Sequence, residues 1–181
     1  GWFPPQLRCS GGPSPSTLGA MKRSLIAMVA AMICATGNAA EEGAVWSTAV
    51  ATRPSDGHSI IYRYRSEFGP SFKRSLYPDR VVVAWNYKSV EGMPSKAEHK
   101  SMDRMEDLLA PYVEQTSLST LVLVSTGEGL REWVYYTKSQ EEFMTKVNEA
   151  LRGLPRFPIE IDLWKDPEWT RYEAFRSSVQ K

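Results

Sequence analysis

Between Leu121 and Lys138 the chain reads Leu-Val-Leu-Val-Ser-Thr, then Gly127-Glu128-Gly129, then Leu-Arg-Glu-Trp-Val-Tyr-Tyr-Thr-Lys. No other stretch constrains the fold as tightly. Both arms are rich in β-branched and aromatic residues, and the glycines can take the positive φ of a short connection, so the pattern predicts two antiparallel strands and a tight turn. Helical patterns lie on both sides of this hairpin, and a strand-like run lies beyond each. The hairpin therefore sits at the middle of a β-α-β-β-α-β series.

Taken in order, Trp46 to Arg53 and Ser59 to Arg65 are short strand-like runs separated by Pro54-Ser55-Asp56-Gly57, a turn in proline, Asx and glycine order. They predict a first hairpin. Arg80 to Tyr87 is apolar on nearly both faces, which suggests a central strand. Ser95 and Glu98 have the spacing of a capping box. The helix they open carries Met102, Met105, Leu108, Leu109 and Tyr112 on one stripe, and Pro111 should end or bend its last turn. Ser139 and Glu142 repeat the capping spacing before Phe143, Val147, Ala150, Leu151 and Leu154, with Gly153 closing the second helix. Phe157 to Trp164 alternates, Phe157, Ile159, Ile161 and Leu163 facing one way and Glu160, Asp162 and Trp164 the other. Asp166-Pro167-Glu168 reads as an N-cap followed by proline at the first helical position, leading into a short C-terminal helix.

A βαββαβ order with both helices on one face is the ferredoxin-like α+β sandwich, here with an extra N-terminal hairpin and a short C-terminal helix. The expected arrangement has the first and last strands of that series central, and the added hairpin either extends an edge or covers the open face. The core should place Val83, Trp85, Leu123, Val134, Ile159 and Ile161 under Met105, Leu109, Val147 and Leu151.

Upstream, Met21-Lys22-Arg23 precedes a twelve-residue apolar run, Ser24 to Ala35, and Gly37-Asn38-Ala39 supplies small residues for a cut. This is the pattern of a secretory signal peptide over 21–39. The run falls short of the roughly 20 apolar residues that cross a bilayer. Residues 1–20 hold four prolines and four glycines without hydrophobic period and read as an upstream remnant. The expected mature unit is one domain over 40–181, periplasmic or secreted, with no stable membrane anchor. Cys9 and Cys34 leave with the leader, so no disulfide or thiol chemistry is expected. Without Arg8, Lys22 and Arg23 the 22 basic residues fall to 19 against 21 acidic ones, a net charge of −2. That argues against a nucleic-acid partner, which calls for a basic excess.

His58 and His99 are the only histidines, lie far apart and have no cysteine nearby, so neither a metal site nor a cofactor is expected. Ser125-Thr126-Gly127 lacks the glycine-flanked elbow of a serine hydrolase, and Gly127-Glu128-Gly129 lacks the spacing and lysine of a phosphate loop. No catalytic set emerges. Glu160 and Asp162, two apart on a strand, share a face and could share a proton or hold a cation, although a solvated outer face bearing two ordinary acids is the favoured reading. Strand alternation, with the core assigned as above, adds Trp133, Tyr135, Asn86 and Trp164 to that face. Aromatics on a wet sheet face call for something that covers them. That cover could be the N-terminal hairpin or the C-terminal helix, which would make the patch a second small core.

Three groups of residues carry a resemblance: the Trp46 hairpin with Asp56-Gly57 and Tyr62-Arg63-Tyr64-Arg65; Thr126-Gly127-Glu128-Gly129-Leu130-Arg131-Glu132 leading to Tyr135-Tyr136; and Asp166-Pro167-Glu168-Trp169-Thr170-Arg171-Tyr172. From about Val45 to Phe175 the chain resembles the domain of unknown function family 695. That family is similar in fold to the ferredoxin-like regulator of ribonuclease activity B, which acts by binding an enzyme, and it brings no catalytic residue set. The absence of a nucleophile, metal cluster and cofactor loop favours a non-enzymatic module that binds a protein through its open sheet face or an edge strand. The alternative is a small hydrolase of glycans or peptides, with Glu160 and Asp162 as acid and base. A third reading, RNA bound on stacking aromatics, conflicts with the acids and the leader.

Overall fold

The computed structural model describes residues 43–179 apart from Arg53, Pro54, Asp56 and Val90. The expected remnant at 1–20 and signal peptide at 21–39 lie outside the described residues, as does much of the first turn. Six strands, β1 (Val45–Thr52), β2 (Ser59–Glu67), β3 (Asp79–Asn86), β4 (Ser119–Gly127), β5 (Leu130–Thr137) and β6 (Ile159–Lys165), join three helices, α1 (Lys96–Val113), α2 (Gln140–Ala150) and α3 (Thr170–Val179). All adjacent strands pair antiparallel, in the order β1-β2-β4-β5-β3-β6. The last four are the ferredoxin-like order, with β5 lying between the parallel strands β3 and β4. Central positions in that core belong to β3 and β5. Contrary to expectation β6 is an edge strand, and the added hairpin extends the opposite edge through β2.

Local chemistry sets most element ends. The Ser95 hydroxyl accepts from the Glu98 amide at 3.2 Å while the Glu98 carboxylate accepts from the Ser95 amide at 3.0 Å. Ser139 makes only the first half of such a box, accepting from Glu142 N at 3.2 Å. Pro111 sits within α1, which runs on to Val113. The central turn is Glu128-Gly129, with φ of +55° and +75°, the positive pair of a two-residue hairpin connection. Gly127 beside it has a different reason to be glycine: a Cβ there would collide with the Ser59 carbonyl and Ile60 Cα of β2. At the C-terminal end Pro167-Glu168 form a turn, Trp169 takes φ +56°, and α3 starts only at Thr170. Asp166 still caps it, accepting from Thr170 N at 2.8 Å and Arg171 N at 3.1 Å.

Two cores lie on opposite faces of the sheet. Under α1 and α2 are Val81, Val83, Trp85, Leu121, Val124, Trp133 and Tyr135, packed against Met102, Met105, Leu109, Phe143 and Val147, with Ile159, Ile161 and Leu151 at the margin. On the other face Val82, Val122, Val134 and Tyr136 meet Tyr77, Trp169 and Tyr172, with Phe68, Phe72, Leu123 and Phe175 around them. Leu123 and Val134 thus belong under α3, not under α1 and α2. A bulge explains part of this. The register between β4 and β5 shifts between Leu121 and Leu123, and alternation resumes one residue out of phase. Arg65 and Glu114 hold the bulge, Arg65 Nε donating to Leu121 O at 2.8 Å and Glu114 accepting from Leu121 N at 3.3 Å.

Candidate protein interface

The six residues expected on one face separate. Trp133 and Tyr135 point to the α1/α2 side and are fully buried. Register shows why: Val83 lies between Trp133 and Ile161, so these three share the helix-covered face, whereas Val82 lies between Val134 and Asp162. Trp-Val-Tyr-Tyr is apolar on both sides, and the polar tips of Trp133 and Tyr135 do not decide which way they turn. The Trp133 indole donates to Glu106 Oε2 at 2.7 Å, a carboxylate that also pairs with Arg63 and with Arg131 at 3.3 Å. The Tyr135 hydroxyl has no hydrogen-bond partner among the described residues, and burial, with Glu114 and Glu106 adding to it, holds its pKa well above the ordinary 10.0.

Asn86, Glu160, Asp162 and Trp164 do share the opposite face, and all are exposed. Their company is polar. Ala84 lies between Glu132 and Glu160, Arg80 stacks over Trp164 at 5.2 Å, and α3 covers the aromatics further along the sheet. Asn86 also lines a shallow polar depression with His58, Lys88, Ser89 and Glu128. Of the three expected aromatics the acids keep Trp164 alone, since Trp133 and Tyr135 lie on the other face. Among the described residues no group of three or more His, Cys, Asp or Glu could hold a metal. No helix there is long and apolar enough to cross a membrane.

The residues that carried the resemblance turn out to be internal fastenings. In Tyr62-Arg63-Tyr64-Arg65 the tyrosines reach Phe175 of α3, at 5.1 and 5.3 Å between ring centroids. The arginines turn the other way, Arg63 to Glu106 and Arg65 to the bulge. Trp169 stacks on Tyr136 at 3.9 Å and donates to Tyr77 O at 3.0 Å. Tyr136 donates to Asp166 at 2.5 Å, and the Tyr172 hydroxyl to the Arg65 carbonyl. Burial pushes Tyr136 and Tyr172 above the ordinary tyrosine pKa. For Asp166 burial acts upward too, but the bonds from Tyr136, Arg171 N and Thr170 N outweigh it and hold the carboxyl below 3.8.

Among the described residues, what remains uncovered is the far edge. A helix is about 10 Å wide and strands lie about 4.8 Å apart, so two helices span roughly four strands, and the hairpin of β1 and β2 projects beyond them. Its helix-side face carries Trp46, Thr48 and Val50 of β1 beside Ile61 and the two arginines. Val50 is 62% exposed, Ile61 42% and Trp46 37%. β1 itself reads Val-Trp-Ser-Thr-Ala-Val-Ala-Thr, eight residues without a charge. The expected site missed these residues because the hairpin's place in the sheet was open, yet the uncharged run over 45–52 is a signal the sequence does contain.

This is an α+β protein of ferredoxin-like topology whose distinctive residues lock two cores to one sheet. The chain belongs to the Family of unknown function (DUF695), whose sequence model matches residues 45–176. No curated protein matches it significantly.

Proposed function

We propose that this chain is an exported, non-enzymatic protein-binding module that docks a partner by strand addition at β1. One observation carries the reading: among the described residues β1 ends the sheet, is eight residues long and bears no charged side chain. A free strand edge presents a row of unpaired backbone donors and acceptors, and soluble proteins ordinarily guard such rows with charge, proline or a covering element. Strand addition uses that row for affinity and alternate side chains for specificity. Trp46, Val50 and Ile61 would supply the apolar contacts beside it. Export rests on the basic start and apolar run of residues 21–39.

Photo-crosslinking in the producing cell tests both parts. A photoreactive residue at Val50 should yield covalent adducts with protein, and one at Glu160 should not. The captured chain should begin between Gly37 and Glu42 by mass spectrometry. Adducts at Glu160 alone, or at neither position, sink the binding site. An intact Met21 on the captured chain sinks the export.

A further inference from the structure

We infer that the strand β1 adds is β1 of a second copy, giving a two-fold dimer with Thr48 on the axis. The inference rests on the reading of β1 as a docking edge and names the partner. Two edge strands related by a two-fold axis pair antiparallel, with the axis normal to the sheet, so residues directly opposite must point to the same face. In such a pair a residue meets either itself or one an even number of positions away. For Val45–Thr52 this leaves two registers that pair seven of the eight residues, one centred on Thr48 and one on Ala49.

The Thr48 register places Thr48 against its copy and Trp46 against Val50 of the other chain, twice, on the face that also bears Ile61. Threonine pairs and aromatic with β-branched pairs are among the favourable cross-strand combinations. The Ala49 register instead sets Trp46 against Thr52 and Thr48 against Val50, leaving the exposed Val50 without an aromatic neighbour. Self-pairing also puts every side chain of the strand near a copy of itself or of a close neighbour. A charge anywhere near the axis would meet its own kind, and β1 has none. The other edge is less suited to this, because an axis through Ile161 sets Glu160 against Asp162 of the copy and an axis through either acid sets that acid against itself.

Charge placed on the axis tests the identity of the partner. Thr48 is exposed, and on the same face it lies beside Arg63. Thr48→Lys and Thr48→Asp should both fold, checked by circular dichroism, yet each should dimerise at least about tenfold more weakly than the wild type, a factor worth roughly 1.4 kcal/mol. Mixing the two variants should restore a dimer, read by light scattering or native mass spectrometry. In chains with Cys9→Ser and Cys34→Ser, Thr48→Cys should form an intermolecular disulfide on mild oxidation, since opposed strand residues lie within disulfide range. A wild type that stays monomeric to about 100 µM, far above the micromolar range of ordinary specific contacts, overturns the inference. So does a dimer that both single variants leave intact, or a mixture that fails to recover. If the Val50 crosslink then captures a protein of different mass, β1 docking stands and only the second copy is wrong; if it captures nothing, both fall.

Discussion

The two faces of the sheet are covered in different ways. On one, α1 and α2 spread aliphatic and methionine side chains over four strands, with a charged rim of Arg63, Glu106, Asp103 and Arg131. On the other, the ten-residue α3 and the loop before β3 are held by stacked rings and a few specific bonds: Tyr136 on Trp169, Tyr136 to Asp166, Trp169 to Tyr77, Tyr172 to Arg65 and Arg74 to Glu173. Broad burial distributes stability over many contacts, each replaceable by repacking. Polar fastenings concentrate it in groups whose loss leaves a buried partner unmet, and they titrate.

The sharpest test of that contrast is Trp133→Ala. Its ring is fully enclosed beneath α1, so truncation should cost about 3–5 kcal/mol, as for other large aromatic deletions in cores, measured by urea denaturation. A loss within about 0.5 kcal/mol, the range of surface changes, would return Trp133 to the open face. Tyr172→Phe should cost less, about 1–3 kcal/mol, because it removes one buried hydroxyl and its bond to the Arg65 carbonyl. It should also blunt the pH response. Tyr136 and Tyr172 have folded pKa values above 10, so the stability they contribute is whole below pH 10 and is lost as pH rises past it, when the unfolded chain ionises first. Asp166 acts in the opposite direction: its folded pKa is lowered, and its contribution is whole above pH about 4 and lost as acid protonates it. Denaturation midpoints from pH 3 to 11 should therefore fall at both ends, and the alkaline fall should shrink in a Tyr136→Phe, Tyr172→Phe double variant. An unchanged alkaline limb would show that the α3 face is not the titrating one. Smallest of all, Glu160→Gln with Asp162→Asn should shift stability by no more than about 0.5 kcal/mol, since both side chains are exposed beyond the reach of α3.

The strand and helix order was readable because its signals are local. The box at Ser95 and Glu98, the cap at Ser139 and the turn at Glu128-Gly129 each bond within a few residues of themselves. Which way the side chains face was not readable at Trp133 to Tyr136, where both faces are apolar because both are covered. Nor could alternation foresee the extra residue at Val122, whose bulge depends on Arg65 from another strand and Glu114 beyond α1. The start of α3 shifted for a related reason: Trp169 reaches back to Tyr77 and Tyr136, and those contacts outweigh the local preference for proline at the first helical position. Of the expected interface, the shared face of Glu160, Asp162, Asn86 and Trp164 was legible from alternation alone. The neighbours of that face depended on pairings far apart in sequence.

The bond from Tyr172 to the Arg65 carbonyl joins positions 107 apart. A ribosome releases the chain from the other end, so β2 is made long before the helix that covers its inner face. Until α3 emerges, Tyr62, Tyr64, Val122, Val134 and Tyr136 have only part of their cover, the rings of Phe68, Phe72 and Tyr77 from the loop before β3. Such late, distant closure slows folding and prolongs exposure to proteases and to sticky neighbours. A chain broken off after Lys165 keeps all six strand sequences yet lacks Trp169 and Tyr172, so one face of its sheet stays open to proteases and to sticky neighbours.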